Sequence, residues 1–251
     1  MDIDIAAPVA TIVTAPFVGS FLAVVALRWP RADSLVFGRS RCDACGRGLG
    51  PIELVPLLSY AVQSGRCRHC GAAIDPLHPV MEAGALAVAI WAAFVTTGWV
   101  LAASCLLGWT LLTLAVIDER SGQLPDALTL PLAVAGIAVA WLVDPVVIGV
   151  HIVGAVAGFA GFWILSELYR RLRGRDGLGL GDAKLLAASG AWLAWPALPS
   201  VILIAAALGL CIALAQRLRH EPVDAATRIA FGPALAAATW IVWLYGPLVP
   251  A

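Results

Sequence analysis

Four cysteines form two C-x-x-C pairs within the one long polar segment of an otherwise apolar chain. Cys42 and Cys45 make the first pair and Cys67 and Cys70 the second, with 21 residues between the pairs. A glycine after each pair lets the backbone turn, so that amide groups can face the sulfur atoms. Four thiolates at this spacing are typical of a closed, structural zinc site. Two disulfides or unmodified thiols are the alternatives, and a reducing cytosol argues against the disulfides.

Two aspartates lie where an apolar run meets a polar one. Asp118 ends the run in "LLTLAVIDERSG", and Asp182 begins another in "GLGLGDAKLL". Two carboxylates that share a proton and a water molecule suffice for peptide hydrolysis. One takes a proton from the water, and the other donates a proton to the carbonyl oxygen. From position alone, Asp182 could equally be a helix cap and Asp118 the first solvated residue after a helix.

Small and charged residues surround Asp182. Gly177, Gly179 and Gly181 permit the close approach of another backbone, such as an extended substrate, although glycines also simply form loops. Lys184 lies one turn inside the membrane boundary and either extends to the membrane surface or pairs with a carboxylate. Asp126 is predicted to be the N-cap of the helix that follows it.

The composition indicates an integral membrane protein. Hydrophobic residues make up 61% of the 251 residues and charged residues 13%, with a mean hydropathy of +0.91. A water-soluble protein with so few charged residues could not keep this much apolar surface away from water. Because a helix needs about 20 apolar residues to cross a bilayer, the sequence predicts an all-α, polytopic bundle of about eight transmembrane helices. Their predicted positions are 5–29, two helices within 80–117 divided at 96–99, 127–143, 146–168, 182–200, a helix ending at 216, and 229–247.

The basic residues orient this arrangement. All sixteen Lys and Arg residues fall on one side of the eight predicted helices, and the positive-inside rule makes that side cytoplasmic. Both termini are then expected on the outer side. The predicted divisions are a first transmembrane helix at 1–29, a cytoplasmic four-cysteine module at 30–78, and a transmembrane bundle with the aspartate pair at 79–251. The lipid bilayer is the expected surrounding, and the zero net charge argues against nucleic acid as a partner.

Taken together, seven segments resemble the prepilin peptidases, the type IV leader peptidases of bacterial inner membranes. They cover most of the chain: "VGSFLAVVALRWP", "GRSRCDACG", "GRCRHCGAAI", "PLHPVMEAGAL", "AVIDERSGQLPDALTLP", "GLGLGDAKLLAASGAWLAW" and "RIAFGPALAAA". Ala23 stands where the family usually has asparagine, and Ala230 where it usually has proline.

The resemblance implies a site and an activity. Asp118 and Asp182 match the catalytic pair of a GxGD-type membrane aspartic protease, Gly179 and Gly181 complete its motif, and Lys184 follows it. The four cysteines match the metal-binding ones. The family cleaves the basic leader from type IV prepilin or pseudopilin precursors after a glycine, at the cytoplasmic face. Many members then N-methylate the new terminus with S-adenosylmethionine.

Helix dipoles suggest how the two aspartates divide their roles. Asp182 is expected at a helix N-terminus, where the dipole favours the ionised carboxylate, and Asp118 at a C-terminus, where it does not. Asp182 is then predicted to activate the water while Asp118 holds the proton.

Three other functions stay open. A GxGD intramembrane protease with other substrates would carry the same tetrapeptide. A non-enzymatic assembly factor of a pilus or secretion system could dock partners through the cysteine pairs and use the aspartates as caps. A transporter would place carboxylates near mid-membrane and show repeated halves, and this sequence shows neither.

Overall fold

The computed structural model describes residues 6–29, 40–174, 179–218 and 230–248. Its helices are α1 Ala6–Arg28, α2 Leu58–Val62, α3 Leu77–Val95, α4 Trp99–Ser121, α5 Asp126–Val143, α6 Ile148–Arg173, α7 Leu180–Leu193, α8 Leu198–Leu218 and α9 Gly232–Tyr245. The chain divides into two compact units, Met1–Thr113 and Leu114–Ala251. The predictions for both termini and for Gly177 fall outside the described residues.

The long helices follow the apolar runs. Among the residues that the structure describes, six helical segments are long and apolar enough to cross a membrane: α1, α3, α4, α5, and α6 and α8 each with the turn before it. By contrast, α7 and α9 have 14 residues each, fewer than the roughly 20 that a full crossing needs. The predicted all-α polytopic membrane fold is confirmed. The count of eight is approximate, since helices occupy the eight predicted positions within the described ranges but six reach spanning length.

In the first unit, α1 packs closely against α3. A Cβ atom at Gly19 of α1 would lie 2.6 Å from the carbonyl oxygen of Met81 and 2.7 Å from Cα of Glu82. Only glycine fits at such a distance, and small residues at helix contacts are typical of membrane proteins. The contact brings α1 against the turn of α3 that carries Glu82. The four-cysteine module and α2 lie between these two helices in the sequence.

In the second unit, α7 is the central helix and contacts α5, α6, α8 and α9. A Cβ atom at Gly190 of α7 would lie 2.2 Å from the carbonyl oxygen of Gly154 of α6, so two glycines allow this close crossing. The buried hydroxyls of Ser189 and Thr239, 2.7 Å apart, join α7 to α9. The helix that carries Asp182 in its first turn is therefore held by neighbouring helices on several sides.

Candidate functional site

The four cysteines of the module come together. Their sulfur atoms all lie within 4.8 Å of one another, and Sγ of Cys42 is 3.8 Å from Sγ of Cys70. A tetrahedral zinc ion with Zn–S bonds of about 2.3 Å holds its sulfurs about 3.8 Å apart, whereas a disulfide requires about 2.05 Å. The cysteines are free thiols, and their arrangement fits one tetrahedral ion rather than two disulfides. Nδ1 of His69 lies 3.0 Å from the guanidinium of Arg47, and His69 is not part of the cluster.

Both C-x-x-C pairs have the same local structure. Gly46 and Gly71 have φ values of +70° and +72°, which favour glycine. Each donates its amide hydrogen to the carbonyl of the first cysteine of its pair, at 2.9 Å. The amides of Cys70 and His69 point at the sulfur of Cys67 and lower the pKa of this thiol to about 7. Both glycines thus form the backbone turn expected after each cysteine pair.

Asp118 lies in the last turn of α4 and is only 8% exposed. Its Oδ2 accepts a hydrogen bond from the amide of Gly232, the first residue of α9, at 3.0 Å. A Cβ atom at position 232 would lie 2.5 Å from the same oxygen. The hydrogen bond in this geometry therefore requires glycine.

Sequence analysis did not identify Gly232 as a site residue. It is separated from Asp118 by 114 positions, and no local pattern links such distant residues. The available signal is the glycine before a proline at the start of an apolar run, in "AFGPALAAA". Proline is favoured in the first turn of a helix, so a glycine beside it marks a helix start where another group approaches closely.

Asp182 is the third residue of α7, which begins at Leu180, two residues before the predicted start. Its Oδ2 accepts a hydrogen bond from the amide of Gly179, the N-cap residue, at 3.3 Å. Gly181 lies against Leu124, a residue of the segment that connects α4 and α5. A Cβ atom at position 181 would lie 2.9 Å from Cβ of Leu124. Gly179 therefore binds the carboxylate of Asp182, and Gly181 allows the start of α7 to lie close to Leu124.

The two aspartates belong to one compact unit, in which α7, the helix of Asp182, contacts α9, the helix whose first residue binds Asp118. Each carboxylate also accepts an amide from the N-terminus of a helix, α9 for Asp118 and α7 for Asp182. The dipole argument from the sequence considered only the helix that carries each aspartate. Because the N-terminus of α9 also faces Asp118, the two carboxylates differ less than that argument assumes. Such a pair can share one proton.

Lys184 pairs with a carboxylate, one of its two predicted alternatives. Its Nζ lies 2.5 Å from Oδ1 of Asp126, and the two side chains are 24% and 56% exposed. The pair connects α7 with the start of α5. Asp126 is the first residue of α5 and Pro125 is the N-cap, so the predicted N-cap role of Asp126 is wrong by one position.

An apolar helical protein with two carboxylates at helix ends in one compact unit is consistent with a membrane-bound aspartic peptidase. Comparison with known families agrees with this class. The model of the Bacterial Peptidase A24 N-terminal domain matches residues 13–96. The model of the Type IV leader peptidase family matches residues 105–214.

Individual relatives are similar over most of their length. A protein of Burkholderia pseudomallei is 43% identical over 215 residues, covering 83% of this chain and 67% of the relative. One of Aeromonas salmonicida is 40% identical, covering 85% and 73%, and one of Pseudomonas aeruginosa is 34% identical, covering 94% and 89%. All three are named prepilin leader peptidase/N-methyltransferase. No solved structure matches the chain significantly.

This chain belongs to the type IV leader peptidase family. It is a multi-pass protein of the inner membrane, and its enzyme class is peptidase. The resemblance found in the sequence is thereby confirmed.

Proposed function

We propose that the chain removes the basic leader from type IV prepilin-like precursors and then N-methylates the new N-terminus. Asp118 and Asp182 are the proposed catalytic pair. The observation that carries this proposal is the position of the two carboxylates in one unit, Asp118 against the first residue of α9 and Asp182 in the first turn of α7, a helix that contacts α9, in a chain of the leader peptidase family. The names of its relatives, which include both activities, support the substrate and the second reaction.

The position of the aspartates suits such a substrate. A precursor with a basic leader followed by an apolar helix has its scissile bond at the membrane boundary. Asp118 lies at the C-terminal end of a spanning helix and Asp182 at the start of an apolar one. Both are expected at the cytoplasmic face, because the basic residues of the chain cluster on the same side.

Hydrolysis needs one ionised and one protonated carboxyl group. The ionised group takes a proton from water, whose oxygen attacks the scissile carbonyl carbon, while the protonated group donates to the carbonyl oxygen. As the C–N bond breaks, the group that took the proton from water gives it to the leaving amine, and a hydroxyl of the intermediate returns a proton to the other carboxylate. Asp182 is the proposed base and Asp118 the proposed acid, although both accept a backbone amide and titrate as a coupled pair.

Two further groups belong to the proposal. Zinc would be held by Cys42, Cys45, Cys67 and Cys70, and four thiolates leave it no open position, so its role is structural. S-adenosylmethionine, when bound, supplies a methyl group to the new amine and leaves S-adenosylhomocysteine and a proton.

The test uses the full-length chain in detergent and a precursor with glycine at the leader end followed by phenylalanine. Wild type is compared with Asp118→Asn and Asp182→Asn. Glu119→Gln is the matched control. Glu119 is the exposed neighbour of Asp118, and its substitution removes the same charge as Asp118→Asn. Intact-mass spectrometry reads both leader removal and the added mass of one methyl group.

The outcomes separate the candidate functions. Cleavage after the glycine by wild type and Glu119→Gln, but by neither aspartate variant, supports the proposal. Cleavage by every variant would exclude Asp118 and Asp182 as the catalytic pair. Cleavage of other membrane helices but not of the precursor favours a GxGD protease with different substrates. Normal pilus or secretion assembly in cells with both aspartates replaced favours the non-enzymatic assembly factor.

The proposed orientation has its own test. Both chain ends are placed on the outer side and the cysteine module in the cytoplasm. A phosphatase reporter that is active only outside the cytoplasm should be active when fused after residue 251. It should be inactive when inserted in the loop between the two cysteine pairs, and the opposite pattern would reverse the orientation.

A further inference from the structure

The two short helices of the second unit, α7 and α9, run in the same direction. The turn Trp195–Ala197 connects the end of α7 to the start of α8. The amide of Leu248, just after α9, donates to Oγ of Ser200 in the first turn of α8 at 3.0 Å. The start of α8 therefore lies beside the end of α9. Because α7 ends where α8 begins, α7 and α9 end on one side of the unit and begin on the other.

A buried pair of hydroxyls joins these two parallel helices. Oγ of Ser189 on α7 lies 2.7 Å from Oγ1 of Thr239 on α9, and both residues are buried. Each hydroxyl also lies near a carbonyl of its own helix, that of Leu185 at 2.9 Å and that of Leu235 at 2.8 Å. A hydroxyl has one proton. One of the two therefore donates across to the other helix, while its partner donates to its own helix.

The hydroxyl pair is placed symmetrically with respect to the aspartates. Ser189 follows Asp182 by seven residues, and Thr239 follows Gly232 by seven residues. Seven residues of an α-helix span about 10.5 Å along its axis and return to nearly the same face. Gly232 donates its amide to the carboxylate of Asp118. The pair thus lies equally far, on each helix, from the residue that carries or binds an aspartate.

The segments between the site and the hydroxyl pair consist mainly of alanine and leucine. They read "AKLLAA" in α7 and "PALAAA" in α9. Alanine has no long side chain that could interlock with the facing helix, so these surfaces pack in more than one register. A hydrogen bond requires a defined distance and direction, and the bilayer interior supplies no water to replace it. The hydroxyl pair is therefore suited to fix how far α7 extends along α9.

We propose that the hydrogen bond between Ser189 and Thr239 sets the register of α7 against α9, and thereby the position of Asp182 relative to Asp118. The two hydroxyl residues are then positioning residues for leader cleavage. The inference rests on the proposed function, since it takes the two aspartates as the catalytic pair. Both hydroxyls are buried inside the unit, away from the substrate. Loss of their bond should therefore lower kcat and leave KM nearly unchanged.

The test compares two substitutions of Thr239 in the full-length, detergent-solubilised protein with the precursor described above. Thr239→Val keeps the shape of the side chain and removes the hydroxyl, whereas Thr239→Ser keeps the hydroxyl and removes a methyl group. Thr239→Val should lower kcat about tenfold, because the aspartates are less often in place, with KM within about twofold of wild type. Thr239→Ser should keep kcat within about twofold. A role in packing alone predicts the reverse order, since the smaller serine leaves a void.

Ser189→Ala removes the other half of the same bond and leaves Thr239 its carbonyl acceptor on Leu235. It should lower kcat about as much as Thr239→Val. The double variant should lose no more than either single variant, because all three lack one and the same bond. Thr129→Val is the matched control, a buried hydroxyl of α5 that donates to the carbonyl of Pro125 at the start of its own helix. It should keep kcat within about twofold.

Melting temperatures confirm that each variant is folded, and several results would overturn the inference. Wild-type kcat in Thr239→Val and Ser189→Ala, beside an inactive Asp182→Asn, would overturn it and leave the proposed function standing. A larger loss in Thr239→Ser than in Thr239→Val, or an equal loss in Thr129→Val, would assign the effect to packing. A raised KM with unchanged kcat would place the hydroxyls in substrate binding instead. Absence of cleavage by wild type would remove the proposed function and the inference with it.

Discussion

The two units use a buried carboxylate in different ways. In the first unit, Glu82 is buried beside a cavity, with one oxygen bonded to the amide of Leu57. In the second unit, Asp118 accepts the amide of Gly232, and Asp182 accepts the amide of Gly179. A single buried carboxylate can hold a backbone amide in place, whereas two in one site can share and transfer a proton. The same type of group is thus suited to holding the backbone in one unit and to hydrolysis in the other.

The strongest contrast concerns the aspartates. Asp118→Asn and Asp182→Asn should each lower the rate of leader cleavage by about 10³-fold or more, since each removes a group that transfers a proton. Cleavage rates from mass spectrometry, with Glu119→Gln as the control, check this. A wild-type rate in either variant would argue against the pair.

In the first unit, loss of one cysteine of the metal cluster should have a large effect on zinc binding. Cys67→Ser should lower zinc affinity by at least about 100-fold, because even outer-shell changes cost up to that amount. Zinc release measured with a chromogenic chelator tests this. Cys211→Ser is the control, an exposed thiol outside the cluster, and equal zinc loss in both variants would contradict the four-cysteine site.

Gly232→Ala sharpens the account of Asp118. The added Cβ atom would lie 2.5 Å from Oδ2 of Asp118, so the carboxylate must move. Displacement of a catalytic group by about 1 Å can cost about 10²-fold in rate, and that loss of cleavage is expected here. Gly161→Ala is the control, since nothing lies within 4 Å of its added Cβ atom. Cleavage at the wild-type rate by Gly232→Ala would show that its contact with Asp118 does not matter for the reaction.

The pair of Lys184 and Asp126 should have the smallest effect. Both side chains are partly exposed, and such ion pairs contribute about 0–1 kcal/mol. Lys184→Met should therefore change the free energy of unfolding by less than about 1 kcal/mol and the cleavage rate by only a few-fold. A double-mutant cycle with Asp126→Asn isolates the interaction. A rate loss as large as that of Asp182→Asn would assign Lys184 a direct part in catalysis.

Parts of this molecule could be predicted from sequence because short-range patterns determine them. The spacing of each C-x-x-C pair and its glycine indicates one metal site, and the structure brings the four sulfurs together. Long apolar runs predicted where the helices lie, although α7 ends at Leu193 and not at the predicted residue 200. The shortness of α7 and α9 was not predicted, because apolar residues continue beyond both helix ends and conceal where the helices stop.

The contacts between distant residues could not be predicted from local patterns. Composition and spacing alone left Asp118 and Asp182 as possible caps, and the family resemblance was needed to pair them. The contact of Gly232 with Asp118 and that of Leu57 with Glu82 depend on how helices and loops pack. Neither has a signal in the residues around it strong enough to name its partner.

The most direct test of this difference between the two units measures leader cleavage by one carboxylate variant from each. Asp182→Asn and Glu82→Gln are each given an intact precursor. Asp182→Asn is predicted to leave the precursor intact, and Glu82→Gln, which keeps an acceptor for the amide of Leu57, to cleave it. Loss of cleavage in both folded, zinc-loaded variants would contradict the account and indicate one shared site.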